Sequence, residues 1–255
     1  MVLLISSITP VAVFLYLIYN KDHVKEPPML LTKCFFGGIL AIILTLILVI
    51  PISLLEPLFA GDFLKSFYDA FLTAALPEEF SKFIILYWII WRSKEFDHHY
   101  DGIIYAVFVS LGFALVENIM YVFSDEGGMQ VAIMRAILAV PGHGFFAVIM
   151  GYYFSIARFH EGTEKNRLLM TSLLMAVFFH GVYDFILMYM DAKSNNPLLI
   201  ILLVIIFSVF IIRLWRLGLK KIEKHHITDH AAIQQAIASA EVSDMDENAN
   251  RPPQI

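Results

Sequence analysis

The sequence predicts an all-α, polytopic transmembrane helix bundle, and three observations predict it. Hydrophobic residues make up 59% of the 255 and charged residues only 16%, with a mean hydropathy of +0.72. Soluble domains sit nearer 45–50% apolar and about 25% charged. The apolar residues fall into seven runs, each close to the ~20 residues that cross ~30 Å of hydrocarbon. Turn signals separate several of the runs: Glu26-Pro27-Pro28, Gly127-Gly128 and Asn195-Asn196-Pro197.

The runs are 2–19, 29–55, 66–91, 101–123, 130–157, 168–190 and 197–217. The first lacks a basic leading segment and a small-residue cleavage site, so it reads as an anchor helix. The second contains Gly37-Gly38, small residues that let helices approach closely, as do Gly142 and Gly144 in the fifth. The third carries Glu78, Glu79 and Lys82 directly after Pro77. The fourth brings Glu117-Asn118, the fifth His143, and the sixth His180 and Asp184. After the seventh the composition turns polar. Residues 1–221 are therefore read as a transmembrane domain and 222–255 as a short cytoplasmic tail, largely disordered. Within that tail AAIQQAIASA reads as a helix outside the membrane.

Basic residues set the expected orientation. Lys21, Lys25, Arg92, Lys94, Arg158, Lys165, Arg167 and the cluster from Arg213 to Lys224 flank one side; Lys65, Lys193 and Arg135 flank the other. By the positive-inside rule the N-terminus is outside the cell membrane and the C-terminus cytoplasmic. A net charge of -5 gives no reason to expect nucleic acid as a partner. The single cysteine, Cys34, makes neither an internal disulfide nor a CxxC motif.

The costly residues are the titratable ones inside the runs. An ionised side chain at the bilayer centre costs a few kcal/mol on insertion scales, so such residues mark functional sites by default. At ~1.5 Å per residue, Glu78 lies about 18 Å from the outer end of its helix, Glu117 about 10 Å, His143 about 20 Å and His180 about 15 Å. Four helices thus carry a titratable group into one layer. Lys82 is i+4 from Glu78 and i+3 from Glu79, within reach of either. Pro77 removes one backbone hydrogen bond and frees the carbonyl of Thr73, which favours a wet cavity there. His180 and Asp184 are again i and i+4, so Asp184 can orient the imidazole.

Two histidines and carboxylates from separate helices are the donors of a hydrolytic zinc site. The expected ligands are Glu117, His143 and His180, with Glu78 or Glu79 deprotonating the water. Zinc and Lys82 together balance the three glutamates. The same residues support a metal-free route in which a protonated histidine stabilises the oxyanion. A proton-coupled transporter or channel is the rival from another class. It calls for a polar path through both halves of the membrane, whereas these groups cluster in one layer. Asp97-His98-His99, and His225, His226 and His230, read as solvated segments.

Four ordered motifs resemble the PrsW family of intramembrane proteases. They are Pro77-Glu78-Glu79-Phe80-Ser81-Lys82, Tyr100-Asp101-Gly102 leading to Glu117-Asn118, Pro141-Gly142-His143 leading to Gly151, and His180-Gly181-Val182-Tyr183-Asp184. The similarity runs from about Asn20 to Lys221, and the family is a distant relative of the CAAX prenyl endopeptidases. The resemblance implies a membrane-embedded peptidase that cleaves membrane-anchored proteins, such as a single-span anti-sigma factor, near the extracytoplasmic side. It carries catalysis onto Glu78, Glu79, Glu117, His143 and His180. Zinc is the implied cofactor, and a metal-free glutamate mechanism is the alternative from the CAAX relatives. Lys82 tunes the glutamate pair, and Asn118 either bonds the substrate or packs between helices.

Overall fold

The computed structural model describes residues 1–22 and 24–249. Every long element in it is a helix, with no strand among the described residues. Helices α1 (Val2–Lys21) and α2 (Pro28–Ser53) open the chain, and Pro28 starts α2 where a missing N–H costs nothing. A short 3₁₀ turn leads to α3 (Asp62–Tyr68), which passes through a π-helical stretch, Asp69–Ala75, into α4 (Leu76–Ile90). After α5 (His99–Val122) the pattern repeats: α6 (Met129–Met134), a π stretch Arg135–Ala139, and α7 (Val140–Arg158). The long α8 (Gly162–Ala192) and α9 (Pro197–Ala249) complete the bundle.

These elements form seven helical rods among the described residues, in the order the apolar runs predict. Six are long and apolar enough to cross a membrane. The remaining rod, Asp62–Ile90, is interrupted by its π stretch and carries the glutamates. The protein is a multi-pass membrane protein.

The core is α5, buried along most of its length between α2 and α7. Two glycine contacts bring backbones together there. A Cβ on Gly38 would overlap the Val109 carbonyl of α5, and one on Gly112 would overlap the Phe35 carbonyl of α2. On the other flank Gly102 and Gly151 meet in the same way, α5 against α7. Gly181 of α8 instead meets the ring of Phe71, a side chain rather than a backbone. Gly142, expected to permit a close approach, meets nothing nearer than 3.6 Å.

The C-terminal segment corrects the expected disordered tail. α9 continues without a break through position 221, because Ile222, His225 and Asp229 recur at helical spacing and are buried against the bundle. Extending an existing helix also avoids the cost of a new nucleus. Residues 250–255 of the expected tail lie outside the described residues. Asp229 accepts the backbone N–H groups of His99 and Tyr100, at 2.8 Å each, so α9 supplies part of the N-terminal cap of α5. Asp101 caps the N–H groups of Asp97 and His98 in turn. Of the Asp97–His99 segment, expected to be solvated, Asp97 is exposed while His98 and His99 are half-buried. His225 is enclosed, stacked on Tyr152 with Nε2 2.7 Å from Ser155 Oγ.

Candidate active site

Both π stretches end one residue before a Leu-Pro or Val-Pro step, and both precede the polar residues of the site. A proline ring clashes with the carbonyl four residues back in a regular helix. A wide turn displaces that carbonyl, and single π turns recur at functional sites for this kind of reason. The sequences Leu76-Pro77-Glu78-Glu79 and Val140-Pro141-Gly142-His143 each follow such a turn. The glutamates and His143 are thereby aimed at the same interior point.

The polar side chains form one connected chain across four rods. Lys82 Nζ is its hub, 2.8 Å from Glu79 Oε1, 3.1 Å from Glu78 Oε2 and 3.2 Å from His143 Nδ1. Phe113 of α5 lies beneath the ammonium, its ring centre 4.1 Å away. His180 Nδ1 sits 2.9 Å from Glu79 Oε1, and its Nε2 sits 3.1 Å from Asp184 Oδ2. Phe146 stacks on the His180 ring at 4.9 Å and fixes its plane. His143 Nε2 sits 2.7 Å from Glu117 Oε2. The two histidines therefore share one design: an outer nitrogen on a carboxylate, and Nδ1 turned toward the glutamate pair.

The geometry offers a donor set beside the one expected from sequence. Glu78, Glu79, His143 and His180 can each offer one donor atom, all within 4.8 Å of one another. Glu117 stands behind His143, as Asp184 stands behind His180, in the orienting position that carboxylates take around ligand histidines. One buried oxygen, Glu79 Oε2, has no hydrogen-bond partner among the described residues.

Arg135 is the member that sequence reasoning missed. It was counted as a flanking charge, yet it lies inside the fifth run, on the π stretch. Its Nη2 is 2.9 Å from Glu117 Oε2 and its Nε donates to Asn118 Oδ1 at 2.8 Å. Tyr121 lies under the guanidinium at 4.3 Å. Asn118 is fully buried and donates its own N–H to the Ser7 carbonyl of α1. Of the two roles expected for Asn118, these bonds match packing between helices.

A cavity of about 310 Å³ opens onto the cluster, lined by Glu78, Glu117, Arg135, His143, His180 and Asp184 among others. The two adjacent glutamates differ sharply in access to it. The Glu78 side chain is 13% exposed and borders the cavity, whereas Glu79 is 0% exposed.

Comparison with known proteins gives the chemistry its context. The model of the PrsW family intramembrane metalloproteases matches residues 26–212. Protease PrsW of Oceanobacillus iheyensis is 36% identical over 217 residues, covering 84% of this chain and 94% of that one. The Clostridioides difficile Protease PrsW is 36% identical over 230 residues, 88% and 91% of the two chains. The Bacillus subtilis Protease PrsW is 36% identical over 222 residues, 86% and 93%. No solved structure matches the chain. With matched similarity across nearly the whole membrane region, the chain belongs to the PrsW family of intramembrane proteases and is a peptidase.

Proposed function

We propose that the protein hydrolyses a peptide bond of a single-span membrane protein, with Glu78 as the base that activates water. The observation that carries this reading is the contrast within the glutamate pair. Glu78 borders the cavity, while Glu79 is enclosed and spends its Oε1 on Lys82 and His180. A general base must reach the water it deprotonates. Glu79 then holds the Lys82 ammonium in place, and Lys82 keeps the Glu78 carboxylate oriented toward the cavity. Arg135, fixed by Glu117, supplies a positive wall beside the position where an oxyanion develops. With the orientation expected from the basic residues, cleavage falls in the outer half of the membrane. An anti-sigma factor is the substrate the family resemblance implies.

The residues fit a divalent metal. Two carboxylates and one ring nitrogen from each of two histidines converge, each histidine is held by a carboxylate behind it, and Glu79 Oε2 is an orphaned acceptor. Charge agrees: Glu78, Glu79, Glu117 and Asp184 face only Lys82 and Arg135, an imbalance one divalent cation offsets when both histidines are neutral. Glu79, His143 and His180 would hold the ion beside Glu78, which stays free to act as base, with Lys82 swung aside. Zinc so held supplies Lewis acidity and lowers the pKa of water. The position of Lys82 Nζ, within 3.2 Å of three of the four donor residues, favours a second reading in which the ammonium itself is the resident cation and no metal binds.

The test is cleavage of a single-span substrate by purified protein, with metal content measured on the same sample. Glu78→Gln is expected to lower kcat by about 10²–10⁴-fold, the range for a lost general base. Stoichiometric zinc that disappears in His180→Ala supports the metal reading; full activity in metal-free protein supports the ammonium reading. Undiminished proteolysis in Glu78→Gln sinks the assignment of the base.

A further inference from the structure

A second cavity, of about 700 Å³, lies between the α3 rod and α8 at the end of the bundle opposite the α9 extension. Asp62, Lys65, Asp69 and Asp191 line it, with Thr73 on its floor. It shares Ala74, Leu187 and Met188 with the cavity over the glutamates. Through these shared residues the two adjoin, lining a trough that leads toward Glu78. We propose that this trough binds the juxtamembrane segment of the substrate as an extended strand bearing basic residues. This rests on the protease reading above and names the substrate class for it.

Charge and geometry carry the argument. Three aspartates against one lysine leave the lining net negative. Asp62 is already paired with Lys193 at 2.6 Å, and Lys65 is held by Glu56. Asp69 is left with Lys65 at 4.0 Å and a long contact to Thr73 at 3.5 Å. No ion pair involves Asp191 among the described residues. Asp69 thus shares its one lysine with Glu56, and the trough keeps a net negative charge. An arriving helix has its carbonyls bonded internally, so a scissile bond must be presented from extended chain. Asp69 stands nine residues before Glu78 on its rod, roughly 13 Å at ~1.5 Å per residue. About four extended residues, at ~3.3–3.6 Å each, span that distance. A lysine or arginine about four residues to the aqueous side of the cleaved bond reaches the Asp69 and Asp191 carboxylates.

The experiment uses full-length protein in detergent and single-span peptides whose juxtamembrane segment carries lysine, glutamine or glutamate at successive positions. Cleavage gives KM, and fluorescence anisotropy gives Kd on the same peptides. The expected result is a KM and Kd about fivefold lower for lysine than for glutamine, the gain of one favourable surface pair. The preference peaks near the fourth position, and glutamate binds weakest. Asp69→Lys combined with Asp191→Lys reverses the order of KM and Kd. Equal KM and Kd for lysine and glutamate peptides overturns the proposal while leaving the protease standing, and gives the trough to lipid or water. If no peptide is cleaved, the single-span substrate of the reading above fails, and the Kd order still decides the trough.

Discussion

Two polar clusters occupy different levels of the bundle, one inside it and one at the start of α5, and use the same residue types differently. The cluster at Glu78 bonds side chain to side chain: carboxylate to ammonium, carboxylate to imidazole. The cluster at the N-terminus of α5 bonds carboxylate to backbone: Asp229 and Asp101 take up N–H groups that the helix start leaves without partners. A carboxylate spent on backbone N–H groups is structural, because its acceptor sites are filled by atoms that cannot leave. A carboxylate held by side chains beside a cavity stays available to a ligand. Histidine, aspartate and glutamate in a membrane protein are therefore informative only with their partners.

The comparison breaks most visibly at Arg135. Arg135→Gln removes the charge that fixes Glu117 and, through it, His143. A loss of about 10–100-fold in kcat is expected, as for other groups that orient catalytic side chains. Arg135→Lys restores the charge without the fork to Glu117 and Asn118 and is expected to recover only part of the rate. The readout is kcat at saturating peptide, with unfolding in detergent as the control for folding.

Asp229→Ala tests the other cluster. It removes a cap and is expected to cost about 1 kcal/mol of stability, while kcat per folded molecule stays unchanged. A loss of kcat at unchanged stability would erase the distinction between the two clusters.

A pH-dependent effect on stability alone is expected at Glu26, in the connection between α1 and α2. Burial pushes its carboxyl up to about 8, against the Tyr105 hydroxyl that donates to it, with Asp101 and Asp22 close by adding to the rise. The folded protein therefore holds a proton that the unfolded chain releases above its ordinary value of 4.5. Between those two values stability falls as pH rises. Thermal unfolding from pH 5 to pH 8 should show that slope, and Glu26→Gln should flatten it.

Much of this was legible in the sequence, for physical reasons. Hydrocarbon thickness fixes span length, so the apolar runs marked the seven rods to within a few residues at most boundaries. Buried charge is expensive, so Glu78, Glu79, Glu117, His143 and His180 stood out on their own helices. Helical spacing gave the partners of Lys82 and His180. What spacing does not carry is contact between helices. The pairing of Glu117 with His143 and Arg135 needed the fold. Arg135 had a signal, a basic residue within an apolar run, but it was assigned to a flank. The docking of α9 was hidden because Asp229 finds its partners about 130 residues away.

The glycine contacts of α5 have a mechanical consequence. Carbonyl against Cα on both flanks makes α2, α5 and α7 a stator, with no slack for sliding and none for tilting. The α8 joint to the glutamate-bearing rod is different, since Gly181 rests on a phenylalanine ring that can rotate. That joint lies on the rod that carries Glu78 and Glu79, whereas His143 sits on α7, one of the close-packed helices. The glutamates and the histidine thus meet across two kinds of packing, one side-chain-filled and one backbone to backbone.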